Sequence, residues 1–169
     1  MGATRYDRRM YAIMNKREGA VLYATAARRR TVIGVHVLLT LAAVATWLGM
    51  LLEDALWPAL VMLGLLPPWV LTTGIINGST RGLLELRGRM LDERQLVERD
   101  RVRSLAHRIT TGVLVAAAAG TGCAVWLADV RFEGMLFPAL FAVLVLHWLM
   151  PLWVAGLRVQ DECLEDSAE

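Results

Sequence analysis

Apolar residues in this chain gather into four nearly unbroken runs, at residues 32–52, 57–76, 109–128 and 135–157, parted by short charged stretches. Each run is about twenty residues long, enough at about 1.5 Å per residue to cross a hydrocarbon core of roughly 30 Å. A helix meets every backbone N–H and C=O within its own segment, so runs of this length predict transmembrane helices rather than strands. The expected fold is an all-α membrane protein, with four spans forming two similar hairpins. Glu53 and Asp54 mark the first hairpin turn, and Asp129, Arg131 and Glu133 mark the second. No proline and few glycines interrupt residues 90–128, which predicts one long helix whose charged first part stands outside the third span. Residues 1–31 are expected to form a basic helix, 81–108 a charged helix and 158–169 an acidic tail. Two helical stalks would then project side by side from one face of the membrane.

Charge fixes the expected orientation. Eight basic residues precede the first span and eight lie between the second and third, whereas the two hairpin turns carry Arg131 alone. The positive-inside rule therefore places the N-terminus, the 81–108 segment and the tail in the cytoplasm. Trp47, Trp57 and Trp126 fall at the opposite interface, where amphipathic rings prefer to sit. Lys16 is the one lysine among 18 basic residues, and the chain is rich in Ala, Val, Leu and Gly. That bias suggests a high-GC bacterial genome, and hence a bacterial cytoplasmic membrane. The first apolar run starts too far in for a cleavable signal peptide. Cys123 within a span and Cys163 in the tail sit at different depths, so no disulfide is expected.

The densest chemistry lies in the charged segment. Leu83, Leu86, Met90, Val97 and Leu105 share one broad helical face, with Asp92, Glu93 and Asp100 opposite. Glu85 with Arg89, Glu98 with Arg101, and Asp100 with Arg103 have intrahelical pairing distance. Arg94 and Arg101 sit within the apolar face, so a helix docked there would need to offer carboxylates. Asp92, Glu93, Arg94, Glu98, Asp100 and Arg101 are accordingly the candidate partner-binding residues. The string Leu91-Asp92-Glu93-Arg94-Gln95, followed by Arg99-Asp100-Arg101 and Arg108 and then a span, resembles a pattern in small bacterial, especially actinobacterial, multi-span membrane proteins. The resemblance covers about 25 residues. It implies the same size and layout and carries no activity across.

Within the spans, His36 and His147 are the ionisable candidates besides Cys123, because ionisable groups at that depth are functional candidates by default, although a neutral histidine hydrogen-bonded to a neighbouring helix is the favoured reading. Their expected depths differ by about 7 Å, which argues against a shared metal or cofactor. Pro67-Pro68 frees backbone carbonyls within the second span and is a further candidate site. Gly112, Ala116, Gly120 and Ala124 form a small-residue ridge for close helix packing, expected to face another span of the same chain rather than a second copy. Trp47, Pro58, Pro67 and Trp69 have counterparts in Trp126, Pro138, Pro151 and Trp153, which suggests an internal repeat.

These features favour a non-enzymatic membrane scaffold or regulatory subunit, in contact with lipids and with a protein partner or its own copies. A small transporter or channel is the first alternative, with threonines such as Thr40, Thr73 and Thr110 and the two histidines as its polar stripe. A lipid-active enzyme is the second, needing acids and arginines to converge at the interface. The arginine blocks follow from topology and lipid headgroups rather than nucleic acid. No phosphate loop, metal motif or nucleophile triad is spelled out.

Overall fold

A computed structural model describes residues 4–14, 21–52, 56–128 and 136–159. Both hairpin turns, the acidic tail with Cys163, and Lys16 and Arg17 lie outside the described residues. Among those described, the regular elements are all helical: α1 (Arg5–Met14), α2 (Ala26–Leu52), α3 (Trp57–Ser79), α4 (Glu93–Ala128) and α5 (Leu136–Arg158), with a short 3-10 helix at Gly88–Met90 before α4. Four of them, α2 to α5, are long and apolar enough to cross a membrane.

Helix starts follow from local hydrogen bonding. Thr4 and Asp7 form a reciprocal capping box at α1, with Thr4 N donating to Asp7 Oδ2 at 2.8 Å and Asp7 N donating to Thr4 Oγ1 at 3.3 Å. Asp92 and Gln95 repeat the device at α4. Gln95 N donates to Asp92 Oδ1 at 2.6 Å, and Asp92 N donates to Gln95 Oε1 at 3.1 Å. The Asp-Glu-Arg-Gln string is therefore a helix start. Asp92→Ala is expected to cost about 1 kcal/mol and to speed amide exchange over the first turn of α4. Unchanged exchange there would show that the box does not hold the helix end.

The charged helix begins at Glu93 rather than at residue 81. Residues 81–87 form turns, because α3 ends with Arg81 and Gly82 both at positive φ (52° and 72°). Gly82 N donates to Asn77 O and Arg81 N to Gly78 O, both at 3.0 Å, the bonding of a Schellman ending. A side chain at Gly82 would meet Met14 at 2.8 Å, so α1 docks against this turn. Asp7, buried, reaches Arg87 at 3.7 Å, and the Arg87 guanidinium lies 5.6 Å from the Tyr6 ring centre. The expected second stalk is thus a separate short helix folded onto the α3–α4 connection.

α2 and α3 pack closely, and α5 closes over both with Ile33, Ile76, Leu149 and Leu152 buried between them. Gly156 lets the helices approach: a side chain there would meet Ile33 at 2.9 Å and Ile76 at 3.1 Å. Arg29, buried, donates to Val159 O at 2.9 Å and to Tyr23 O at 3.1 Å, so one cation ties the end of α5 to the segment leading into α2. At the hairpin end, Trp47 stacks on Phe141 with centroids 4.5 Å apart, and Phe137 lies 5.9 Å away.

α4 packs chiefly on α5, through Val102, Ala106, Met150, Val154 and Ala155. Glu98 faces Arg158 across this seam, so the charged stretch lies against the last turns of α5 instead of projecting free. Beyond Thr110 almost every described residue of α4 is exposed, Trp126 to 88%. The small-residue ridge does not pack inside the bundle. Gly112 and Gly120 have open space where a Cβ would stand, Ala116 is exposed and Ala124 half-buried. The reason is topological: α5 already covers α2 and α3, leaving α4 a single principal neighbour.

Candidate functional site

Two constellations merit a chemical reading, one inside the bundle and one at its charged end. The inner one centres on His36, which is fully buried on α2. His36 and Thr40 are one helical turn apart, as are Trp69 and Thr73 on α3, so each pair shares a face. The two faces meet in a closed circuit. His36 Nε2 lies 2.9 Å from Thr73 Oγ1, and that hydroxyl donates to Trp69 O at 2.8 Å. The Trp69 indole donates to Thr40 Oγ1 at 2.9 Å, and that hydroxyl returns to His36 O at 2.8 Å. From α5, the Trp153 indole donates to His36 Nδ1 at 2.9 Å.

The circuit settles the protonation pattern. An indole N–H only donates, so His36 Nδ1 accepts and carries no proton. The ring is then neutral, with its proton on Nε2 donated to Thr73. Both ring nitrogens are occupied, and neither is free to bind a metal or relay a proton. Trp69 tilts against the imidazole at 5.1 Å and Trp153 meets it edge-on at 6.1 Å. What this arrangement does is lock three helices together in a low-dielectric interior, where unmet polar groups are expensive. Trp69 of α3 and Trp153 of α5 converge here on one histidine.

The other intramembrane candidates do not join it. His147 is exposed on α5, Pro67 is exposed, and Pro68 is half-buried within a helix that runs on through both prolines. The threonine stripe is largely self-satisfied. Thr46, Thr72 and Thr121 return their hydroxyls to carbonyls of their own helices at 2.9–3.0 Å.

At the charged end, Glu98 accepts from Arg158 Nε at 2.7 Å, with Arg101 4.0 Å away. The Arg158 hydrogen bond holds the Glu98 carboxyl below the usual range, aided by the charges of Arg158, Arg101 and Arg94. Glu98 raises the Arg158 guanidinium in return. A depressed carboxyl contributes stability above its unfolded value, and that contribution is lost as pH falls through the folded one. The α4–α5 latch should therefore loosen in acid below about pH 4.5, the ordinary glutamate value. Partial exposure limits the effect to about 1 kcal/mol or less. Glu98→Gln should abolish this pH dependence in thermal unfolding between pH 3 and 7 (roughly the range over which a carboxylate titrates). A variant that keeps the wild-type acid slope would rule the latch out.

Of the predicted partner residues, Asp92, Glu93, Arg94, Asp100 and Arg101 are exposed and Glu98 is half-buried. The Glu98–Arg101 contact forms within α4, and no Asp100–Arg103 ion pair forms among the described residues. The sequence marks Arg108 only as part of the string before the third span and does not single out Arg158, because their roles depend on how α4 is placed beside α5. Two grooves open around them. One of about 520 Å³ is lined by Val97, Asp100, Arg101, Ser104, Leu105, Arg108 and Arg158. The other, about 640 Å³, shares Val97, Arg101 and Arg158 and extends to Thr80, Leu83 and Glu93. No family model, curated protein or solved structure matches the chain.

Proposed function

We propose that this chain is a non-enzymatic scaffold or regulatory subunit of a bacterial cytoplasmic membrane, with both termini in the cytoplasm. It presents the start of α4 to a protein partner or to further copies of itself. One observation carries the reading: a charged surface stands on a helix that is pinned in place. Asp92, Glu93, Arg94 and Asp100 are exposed beside Val97, itself 51% exposed. The far side of the same helix is fixed to α5 by Glu98–Arg158 and by buried Val102 and Ala106. A surface on a rigid element docks a partner with little ordering cost. The arginine-rich segments support the orientation, since α1 and the start of α4 share one end of the bundle.

The other readings find less support. The enzyme reading needs acids gathered over a substrate, yet Asp92 lines neither groove, Asp100 and Glu93 line different ones, and Glu98 is engaged by Arg158. The transporter reading needs polar groups left over for a solute, and those of the inner circuit are spent on one another. Descent of the two hairpins from one duplicated unit belongs to the proposal too, supported by the shared placement of Trp69 and Trp153.

The test is the mass of the intact particle after extraction of tagged protein in mild detergent. The wild type should carry a stoichiometric second protein or form a defined homo-oligomer. Exchanging the charges of Glu93 and Arg94 (Glu93→Arg with Arg94→Glu) should weaken that assembly at least about tenfold, the effect of 1.4 kcal/mol. A lone monomer, or an assembly indifferent to the exchange, would overturn the reading.

A further inference from the structure

The pairing of Glu98 with Arg158 sets the register of α4 against α5. Eleven residues further along each antiparallel helix, about 16 Å at 1.5 Å per residue, Ile109 comes level with His147. The apolar turns of α5 from His147 to Leu157 thus flank the charged part of α4. Arginines on that part of α4 stand beside apolar turns of α5, which is long and apolar enough to cross a membrane. A bilayer around α5 would set them where hydrocarbon gives way to headgroups. Long arginine side chains there extend their charge toward the phosphate layer.

Arg101 and Arg108 are seven residues apart, two turns of one face, with Val97 and Ser104 on the same face. They frame the 520 Å³ groove together with Arg158. Charge in the groove is unbalanced. Three arginines line it against one carboxylate, Asp100. Glu98 pairs with Arg158 at 2.7 Å and lies 4.0 Å from Arg101, and among the described residues Asp100 and Arg108 make no ion pair. Below the arginines the surface turns apolar without a break. Leu105 lines the groove, and Ile109, Gly112 and Val113 continue it along the exposed side of α4.

We infer that this groove is a binding site for an anionic phospholipid. Its phosphodiester is held by Arg101, Arg108 and Arg158, and an acyl chain runs down the open flank of α4. An acidic peptide would match the charges but not the apolar path that leads from them into the bilayer. A lipid matches both, and basic pockets between spanning helices suit such headgroups. The site is independent of the scaffold reading, because it needs neither a partner nor a second copy.

The experiment is native mass spectrometry of the full chain, released from mild detergent after equilibration with equal phosphatidylglycerol and phosphatidylcholine. The wild type should retain one phosphatidylglycerol in preference to phosphatidylcholine. Arg101→Gln with Arg108→Gln should lower that retention about tenfold or more. Arg103→Gln, which removes a charge outside the groove, should leave it unchanged. Val97→Trp, which fills the groove and keeps every charge, should displace the lipid even if the double variant fails to fold. Inorganic phosphate at millimolar concentration should not displace the lipid. Equal retention of both lipids, loss of retention in R103Q, full retention in V97W, or displacement by phosphate would each overturn the assignment.

Discussion

Replacement of His36 by alanine is expected to destabilise the bundle by about 3 kcal/mol, the largest effect of any single truncation inside the spans. Two contributions add. The lost ring leaves a cavity among α2, α3 and α5, and it strands the Trp153 indole N–H, whose acceptor was His36 Nδ1. Thr73 loses its donor as well, though its own hydroxyl still reaches Trp69 O. Interhelical hydrogen bonds in membranes average only about 0.6 kcal/mol each, so hydrogen bonding alone would not reach this figure. The cavity and the stranded indole make up the difference. Trp153→Phe keeps most of the packing and removes a single donor, and should cost about 1 kcal/mol. Unfolding titrations in mixed mild and denaturing detergent would measure both. If His36→Ala costs no more than Trp153→Phe, the circuit is not what joins the three helices.

Gly156→Leu should be of similar size, about 2–3 kcal/mol, and for the opposite reason. Here atoms are added where none fit. Even a Cβ would stand 2.9 Å from Ile33 Cδ1 and 3.1 Å from Ile76 Cγ2. The first of these is the tip of a flexible side chain and can turn aside, so Gly156→Ala should cost about 1 kcal/mol or less. It also gains roughly 1 kcal/mol of helix propensity. A leucine has nowhere to go between two buried isoleucines, and α5 must move off α2 and α3. That movement would pull Trp153 away from His36, so the two sites should be coupled. The double variant Gly156→Leu with His36→Ala should be less damaging than the sum of the singles, by about 1 kcal/mol. Strict additivity would show that the glycine contact and the histidine circuit act separately.

The histidine circuit was half legible beforehand. His36 and Thr40 share a face by spacing alone, as do Trp69 and Thr73, and each is a polar group in an apolar run. Spacing within a helix says nothing about which face of the next helix it meets, so the closure through Thr73, Trp69 and Trp153 was not readable. Arg158 illustrates the same limit. As sequence it is the basic residue at the end of a span; as structure it is the partner of Glu98 and a wall of the groove.

What the sequence by itself determined are the properties carried by contiguous residues. Runs of about twenty apolar residues dictate spanning helices, because hydrocarbon thickness and helical rise leave no other solution. The Asp92-Gln95 box starts α4 because its hydrogen bonds close within four residues. Tertiary structure alone decided the placement of α4. Helix length and hydropathy are indifferent to sliding or rotation about the axis, so the charged stretch was expected to project free and the glycine ridge to turn inward. Packing of Val102 and Ala106 on Met150 and Val154, with Glu98 drawn to Arg158, laid the charges along α5 and left the ridge facing outward. Contacts between residues far apart in the chain set that register, and no local pattern encodes them.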